Sequence, residues 1–369
     1  MYKAVKFVKK NAVLCIAILA ALVTSYFVRP DMQYISYFDY KTLTCLFCVL
    51  AVVCALKNIN FFYMIAQNIV VYFKNARMCV LALVYITFIG SMLIANDMAL
   101  LTFLPLGYFV LTSCKREELM AFVFIMQNIA ANLGGMLTPF GNPQNLYLYS
   151  KFNIPTLEFM QIMIIPFVLS ILLITLTCIF FIKNEKLVIE KKEIVLPKGK
   201  TIIYLLLFTL SIVIVFRVIP YWIGLIIIPA FLIFMDRKAL KDVDYGLLFT
   251  FVAFFIFSGN MARIDAVEKV FTYFLDKNTM LFSILSCQFI SNVPTAILLS
   301  QFTSDYAHLL IGVNIGGAGT LIASLASLIT LKEYTKNNPG KFWIYFKEFS
   351  VINFSFLIII ISILTFLHI

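Results

Sequence analysis

The sequence predicts an all-α, polytopic membrane protein built from two inverted repeats, each with a re-entrant hairpin and a broken helix. Three observations carry this reading. Of the 369 residues 62% are hydrophobic and 13% charged, with mean hydropathy +0.98, whereas a water-soluble globule is about half apolar and about a quarter charged. The apolar residues fall in runs of roughly 18 or more, about what a helix needs to cross a bilayer core. Three blocks with polar centres in the first half recur in the same order in the second. Barrel-type alternation is absent, so the spanning elements are expected to be helices.

In chain order, the basic start MYKAVKFVKK precedes an apolar run at 11–28. The run is too long for a signal-peptide core and no small-residue cleavage site follows it cleanly, so it reads as a retained first helix. Further spans are expected at 38–56, 118–150 (with a break), 158–182, 201–218, 221–236, 245–262, 306–331 and 342–367. The stretches 77–113 and 279–302 have polar centres and read as hairpins that enter and leave on one side. With the N-terminus inside, most of the 29 Lys and Arg fall on the cytoplasmic side. The outer side receives Arg29, Lys41, Lys151, Arg217, Arg263, Lys269 and Lys277. That bias is roughly three to one, which is the positive-inside pattern. It places the chain in the inner cell membrane with a cytoplasmic N-terminus and an outer C-terminus. The chain divides into an N-terminal transmembrane helix (1–37), repeat 1 (38–183), a charged cytoplasmic linker (184–200), scaffold helices (201–243) and repeat 2 (244–369).

The repeats align block by block. DYKTLTCLFCVLAVVCALKNI from Asp39 matches DYGLLFTFVAFFIFSGNMARI from Asp244; SMLIANDMALLTFLPL from Ser91 matches CQFISNVPTAILLSQF from Cys287. NLGGMLTPFGNPQN from Asn132 matches NIGGAGTLIASLAS from Asn314. The shared polar anchors are Asp39/Asp244, Asn96/Asn292 and Asn132/Asn314. An odd number of crossings separates the copies, so they lie upside down to each other. Inverted repeats with broken helices at mid-membrane belong to secondary transporters, because the symmetry supplies inward- and outward-open states.

Polar side chains within the bilayer face a cavity or a partner. Asn96 and Asp97 interrupt the first hairpin; Ser291, Asn292 and Thr295 interrupt its mate, with Pro105 and Pro294 helping to break the helices. A helix that restarts at mid-membrane aims free N–H groups at the centre, which suits a carboxylate or another oxyanion. These five residues are the substrate-binding candidates; kink-forming packing residues are the alternative. In the third block two glycines and two prolines must unwind the helix. Thr138, the Gly141 carbonyl, Asn142 and Asn145 make a candidate Na+ site, with Asn314 and Thr320 from the weaker mate, where Ser324 and Ser327 keep hydroxyls.

The net charge of +11 lies in short loops and orients the chain, so no nucleic-acid partner is expected. Most of the eight cysteines sit inside apolar segments, and Cys45 and Cys48 have no second pair or nearby His. His308 and His368 are isolated. Neither a nucleotide loop nor a catalytic triad occurs, so no cofactor and no enzyme activity are expected, and Na+ or H+ is the coupling ion. The amphipathic stretches 61–74 and 264–277 read as interfacial arms.

The hairpins together with TPFGNPQN and NIGGAGTLIAS resemble the ion transporter superfamily, in its citrate-transporter-like members, over about residues 38–335. The resemblance implies an elevator mechanism with a scaffold and a moving domain, usually dimeric. It implies cation-coupled carriage of small carboxylates such as citrate or dicarboxylates. The dicarboxylate branch carries Ser-Asn-Thr at both tips; here the tips read Ala95-Asn96-Asp97 and Ser291-Asn292-Val293. Asp97 instead resembles the Asn-Asp of sodium/proton antiporters and arsenite-efflux permeases, which stand as the alternative. A membrane enzyme or assembly factor would leave the paired hairpins unexplained.

Overall fold

The computed structural model describes residues 12–185 and 194–367. The first lysines, part of the 184–200 linker and His368 lie outside the described residues. Regular structure among these residues is helical throughout: α1 Ala12–Phe27, α2 Tyr40–Asn58, α3 Phe61–Tyr72, α4 Ala76–Ile94, α5 Asn96–Ser113 and α6 Met120–Gly134. Then come α7 Pro143–Lys151, α8 Thr156–Phe181, α9 Lys198–Val215, α10 Tyr221–Met235, α11 Arg237–Asp242 and α12 Tyr245–Met261. The chain finishes with α13 Asp265–Ile290, α14 Asn292–Leu299, α15 Tyr306–Ile315, α16 Leu325–Asn337 and α17 Phe342–Phe366.

Among the described residues, six helical stretches are long and apolar enough to cross a bilayer, or seven when a bent pair is counted as one span. The chain is therefore a multi-pass membrane protein. One of the nine expected spans is short: α10 has 15 residues, about 22 Å of helix. The 306–331 span is cut into α15 and the start of α16 by non-helical residues. The 118–150 span breaks where expected, between Gly134 and Pro143, with a single 3-10 turn at Gly135–Leu137 in the gap. In the 77–113 stretch the first arm, α4, is itself among the six long helices. The arms of the second stretch are shorter, and α14 has only eight residues.

Burial separates the centre from the rim. The Glu117–Leu137 stretch buries 89% of its apolar window, whereas Thr156–Phe181, Lys198–Val215 and Phe342–Phe366 bury 33%, 28% and 33%. The outer helices keep apolar side chains such as Leu172, Leu206 and Ile358 exposed, as lipid contact requires. Packing divides the helices into two groups. A framework forms where α2 meets α9, α10 and α11 and where α1 lies along α12, with α2 touching α12. A bundle forms from α4 through α8 with α13 through α17, centred on α6, which meets α4, α5, α8, α16 and α17. The groups meet where α2 touches α7 and α4, and where α12 touches α14.

The aspartates of the matched sequence blocks, Asp39 and Asp244, turn out to be helix caps. Asp39 Oδ1 accepts from the Thr42 N–H at 2.9 Å to open α2, and Asp244 Oδ1 accepts from Leu247 N–H at 3.0 Å to open α12. Each satisfies an amide that the first helical turn leaves free. Beyond α12 the chain bends by 98° into α13. α13 is itself broken at Asn278, whose Oδ1 caps the second half through Leu281 N–H at 2.8 Å. The amphipathic stretch before that break is thereby laid across the direction of α12.

Candidate functional site

The turns at Ala95 and Ser291 share one local geometry. α4 passes into α5 through Ala95 at φ 66°, ψ 152°, and α13 passes into α14 through Ser291 at φ 73°, ψ 156°. That backbone region belongs almost wholly to glycine and costs roughly 1–3 kcal/mol for another residue. Each break is followed by an asparagine. Asn96 Oδ1 accepts from the Asp97 N–H at 2.9 Å, and Asn292 Oδ1 accepts from the Val293 N–H at 2.9 Å. Each asparagine's own N–H is given to a carbonyl of the non-helical stretch in its own half of the chain. Asn96 N–H donates to Gly141 O at 3.1 Å, and Asn292 N–H donates to Ala323 O at 2.9 Å.

Between the tips lies a buried amide network whose orientation is set by backbone carbonyls. Asn145 Nδ2 donates to Gly135 O, Met136 O and Thr138 O at 3.2–3.3 Å. Its Oδ1 therefore faces outward as an acceptor and takes Asn314 Nδ2 at 2.6 Å. Asn314 Oδ1 is then left to accept from Asn142 Nδ2 at 3.1 Å and Gln144 Nε2 at 3.4 Å. Asn142 Nδ2 also donates to Asn132 O at 3.1 Å. Asn132 finishes the crossing: Oδ1 accepts from Asn96 Nδ2 at 3.3 Å and Nδ2 donates to Ser324 Oγ at 3.1 Å. Ser324 caps α16 and leads to Ser327, which accepts from Asn128 Nδ2 at 3.3 Å. The Asn292 tip lies beside the network at Gly317, where an added Cβ would lie 3.1 Å from Asn292 Nδ2 and 3.7 Å from Asn132 Oδ1.

The consequence is electrostatic. α5, α7, α14 and α16 all begin in this network, at Asn96, Pro143, Asn292 and Leu325. Each helix start carries about half a positive charge, so four such ends gather in a region without a cationic side chain in its bonds.

Asp97 points elsewhere. It lines a cavity of about 20 Å³ with Leu46, Val49 and Leu50 of α2, Leu247 of α12, and Phe140, Pro143 and Leu146 beside α7. One of its carboxyl oxygens, Oδ1, is buried without a hydrogen-bond partner. The cavity is about the size of one water molecule and lies on the seam between framework and bundle.

The other predicted residues are placed as follows. Thr295 Oγ1 donates to Ser291 O at 2.7 Å and braces the second tip, and Ser291 Oγ reaches Ala323 O at 3.3 Å. Thr138 Oγ1 is tied to Met92 O at 2.8 Å and Thr320 Oγ1 to Gln288 O at 2.9 Å. The Gly141 carbonyl is occupied by Asn96. Asn142 Oδ1 and Gln144 Oε1 are buried oxygens without partners. Asn128, Gln144 and the Ala323 carbonyl take part here without having been singled out from sequence. Asn128 and Asn132, four apart on an apolar helix, are the readable signal among them; a carbonyl leaves none.

Comparison with known proteins gives a consistent picture. A model of the citrate transporter family matches residues 6–309. An uncharacterized transporter of Methanocaldococcus jannaschii is 34% identical over 297 residues, which is 80% of this chain and 81% of the relative. An inner membrane protein of Escherichia coli is 26% identical over 321 residues, 85% of this chain and 84% of the relative.

Proposed function

The chain belongs to the citrate transporter family, and on that premise we propose that this membrane transporter is a secondary carrier of small carboxylates such as citrate or dicarboxylates. The observation that carries the proposal is the duplicated tip. Asn96 and Asn292 sit in matching strained turns, each bonded to the broken helix of its own repeat, and four helix starts surround them. An organic anion is the ligand that the positive ends of four helix dipoles favour.

In this reading the two halves are inverted repeats and the tips are re-entrant hairpins meeting at mid-membrane. The bundle moves against the framework as an elevator, within a homodimer in the inner cell membrane, with the N-terminus cytoplasmic and the C-terminus outside. The coupling ion is Na+ or H+, and the chain offers a place suited to each. Buried amide oxygens at Asn142 and Gln144 suit Na+, beside Asn145, Asn314 and the Thr138 carbonyl. The unpartnered Asp97 carboxyl in an apolar seam suits H+, since a charge there is costly.

Purified protein in liposomes, offered labelled citrate, dicarboxylates and arsenite under imposed Na+ or H+ gradients, tests the proposal. Accumulation of a carboxylate driven by one of the two gradients is expected. Cation exchange with every anion omitted, and no carboxylate uptake under either gradient, would replace it with an antiporter.

A further inference from the structure

The turn between α9 and α10 is unusual in three ways. Arg217 has φ 64°, occupying the left-handed position that closes a helix and is ordinarily filled by glycine. Its N–H donates to Ile214 O at 2.9 Å, and Val218 N–H donates to Val213 O at 3.2 Å. Its side chain crosses from the framework to the bundle. There Nη1 donates to Ile154 O at 3.2 Å, and Nη2 donates to Tyr149 O. The guanidinium carbon lies 3.9 Å from the Tyr149 ring centroid. The neighbouring Phe216 meets Phe140 edge-on, with ring centroids 5.7 Å apart.

These contacts seize α7 at both ends. Phe140 stands just before its start, beside Asn142, Gln144 and Asn145, and Tyr149 and Ile154 flank its finish. A cation at a helix C-terminus is favourable, and charge-assisted bonds to two carbonyls with a ring beneath are stronger than ordinary packing contacts. The cost of the left-handed arginine and of a buried Nε without a partner is borne to hold that hand in place.

We propose that the Phe216–Arg217 turn is a latch that holds α7, and with it the amide network, against the framework in this one end-state of the cycle, and that it has to release before the bundle can move. The inference rests on the elevator reading. If the bundle slides along the framework by even one helical turn, about 5.4 Å, neither carbonyl can stay within hydrogen-bond reach of Arg217. Arg217 is then a positioning residue that sets how much of the population stands in the described state.

The test measures exposure of the seam. Leu146 of α7 is 3% exposed and lines the seam cavity, so Leu146→Cys reports opening through its reaction with a membrane-impermeant maleimide in proteoliposomes. Mass-spectrometric reading of the labelled peptide leaves the native cysteines in place. Leu232→Cys, fully buried within the framework, reports general loosening. Adding Arg217→Ala is expected to speed labelling at position 146 on the order of ten- to hundredfold, as the loss of charge-assisted bonds would, with labelling at 232 unchanged. Arg217→Lys, which keeps the charge but not the two-armed grip, is expected to fall between and serves if the alanine variant does not fold. Unchanged labelling at 146 in both variants, or an equal rise at 146 and 232, overturns the latch. Failure of the elevator itself reads differently: joining Leu50→Cys to Leu146→Cys across the seam would leave labelled-citrate uptake intact.

Discussion

Replacing Asn314 separates a network held by directional bonds from one held by shape. Asn314 is 1% exposed. Its truncation in Asn314→Ala leaves Asn145 Oδ1 and Gln144 Nε2 without the partners they have at 2.6 Å and 3.4 Å, while Asn142 Nδ2 keeps Asn132 O. Two stranded buried groups at the lower part of 1–3 kcal/mol each amount to about 3 kcal/mol. Asn314→Asp, nearly isosteric, should be worse. It sets a carboxylate oxygen where Nδ2 stood, 2.6 Å from Asn145 Oδ1. Asn145 cannot turn away, because its Nδ2 is engaged by three carbonyls. A buried charge robbed of a donor costs several kcal/mol. Acid should relieve it, because a protonated carboxyl donates to Asn145 as the amide does; the variant therefore gains stability as pH falls. Thermal midpoints of detergent-solubilised protein across pH 5 to 8 (a conventional window of about three units around neutrality) are the assay. The expected order is wild type, then Ala, then Asp, with the Asp variant climbing toward wild type on acidification. An Asp variant as stable as wild type at neutral pH, or more stable than Ala at every pH, would refute the bonding scheme.

Other outcomes follow from the same geometry. Asn292→Ala should abolish labelled-citrate uptake while lowering the thermal midpoint only by the equivalent of about 1 kcal/mol, because its backbone bond to Ala323 survives; retained uptake would make it a packing residue. Asp97→Asn removes a titrating group from an apolar seam, so proton-driven uptake should lose its dependence on an imposed pH gradient while substrate binding persists; an unaltered gradient dependence would move coupling to the amide oxygens. Gly317→Ala would bring a methyl 3.1 Å from Asn292 Nδ2 and should weaken citrate uptake at near-normal stability. Gly134→Ala, by contrast, would drive a methyl into the Phe88 carbonyl of the adjacent helix, and should appear as loss of folded protein on size-exclusion chromatography.

What the sequence disclosed was whatever breaks a helix. Asn-Asp and Ser-Asn inside apolar runs, and glycine and proline beside GNPQN, marked both tips and the first broken helix, and the structure interrupts its helices at each. Asp39 and Asp244 were legible as anchors, though their capping role needed only the Asp before an apolar helical run. The placement of Asp97 was also within reach: consecutive residues on a helix point about 100° apart, so Asn96 in the network leaves Asp97 facing another way. The rest depends on partners that sequence does not advertise. Gly141, Ala323, Tyr149 and Ile154 contribute carbonyls, and any residue has one. Arg217 read as an outer-loop charge because composition counts charges without saying what they reach.

Ala95 and Ser291 give the closed centre an unusual mechanical character. A glycine at either corner would sit there at rest, indifferent to whether the neighbouring bonds were made. An alanine and a serine do not rest; they are held, by the Asn96 bond to Gly141 and the Asn292 bond to Ala323, in a shape that each would leave for roughly 1–3 kcal/mol of relief. Each corner therefore behaves as a cocked spring, held at the first by the Asn96 bond to Gly141 and at the second by Thr295 as well as Ala323. A ligand that competes for those N–H groups supplies part of the work of opening at the moment it binds, one corner for each half of the chain.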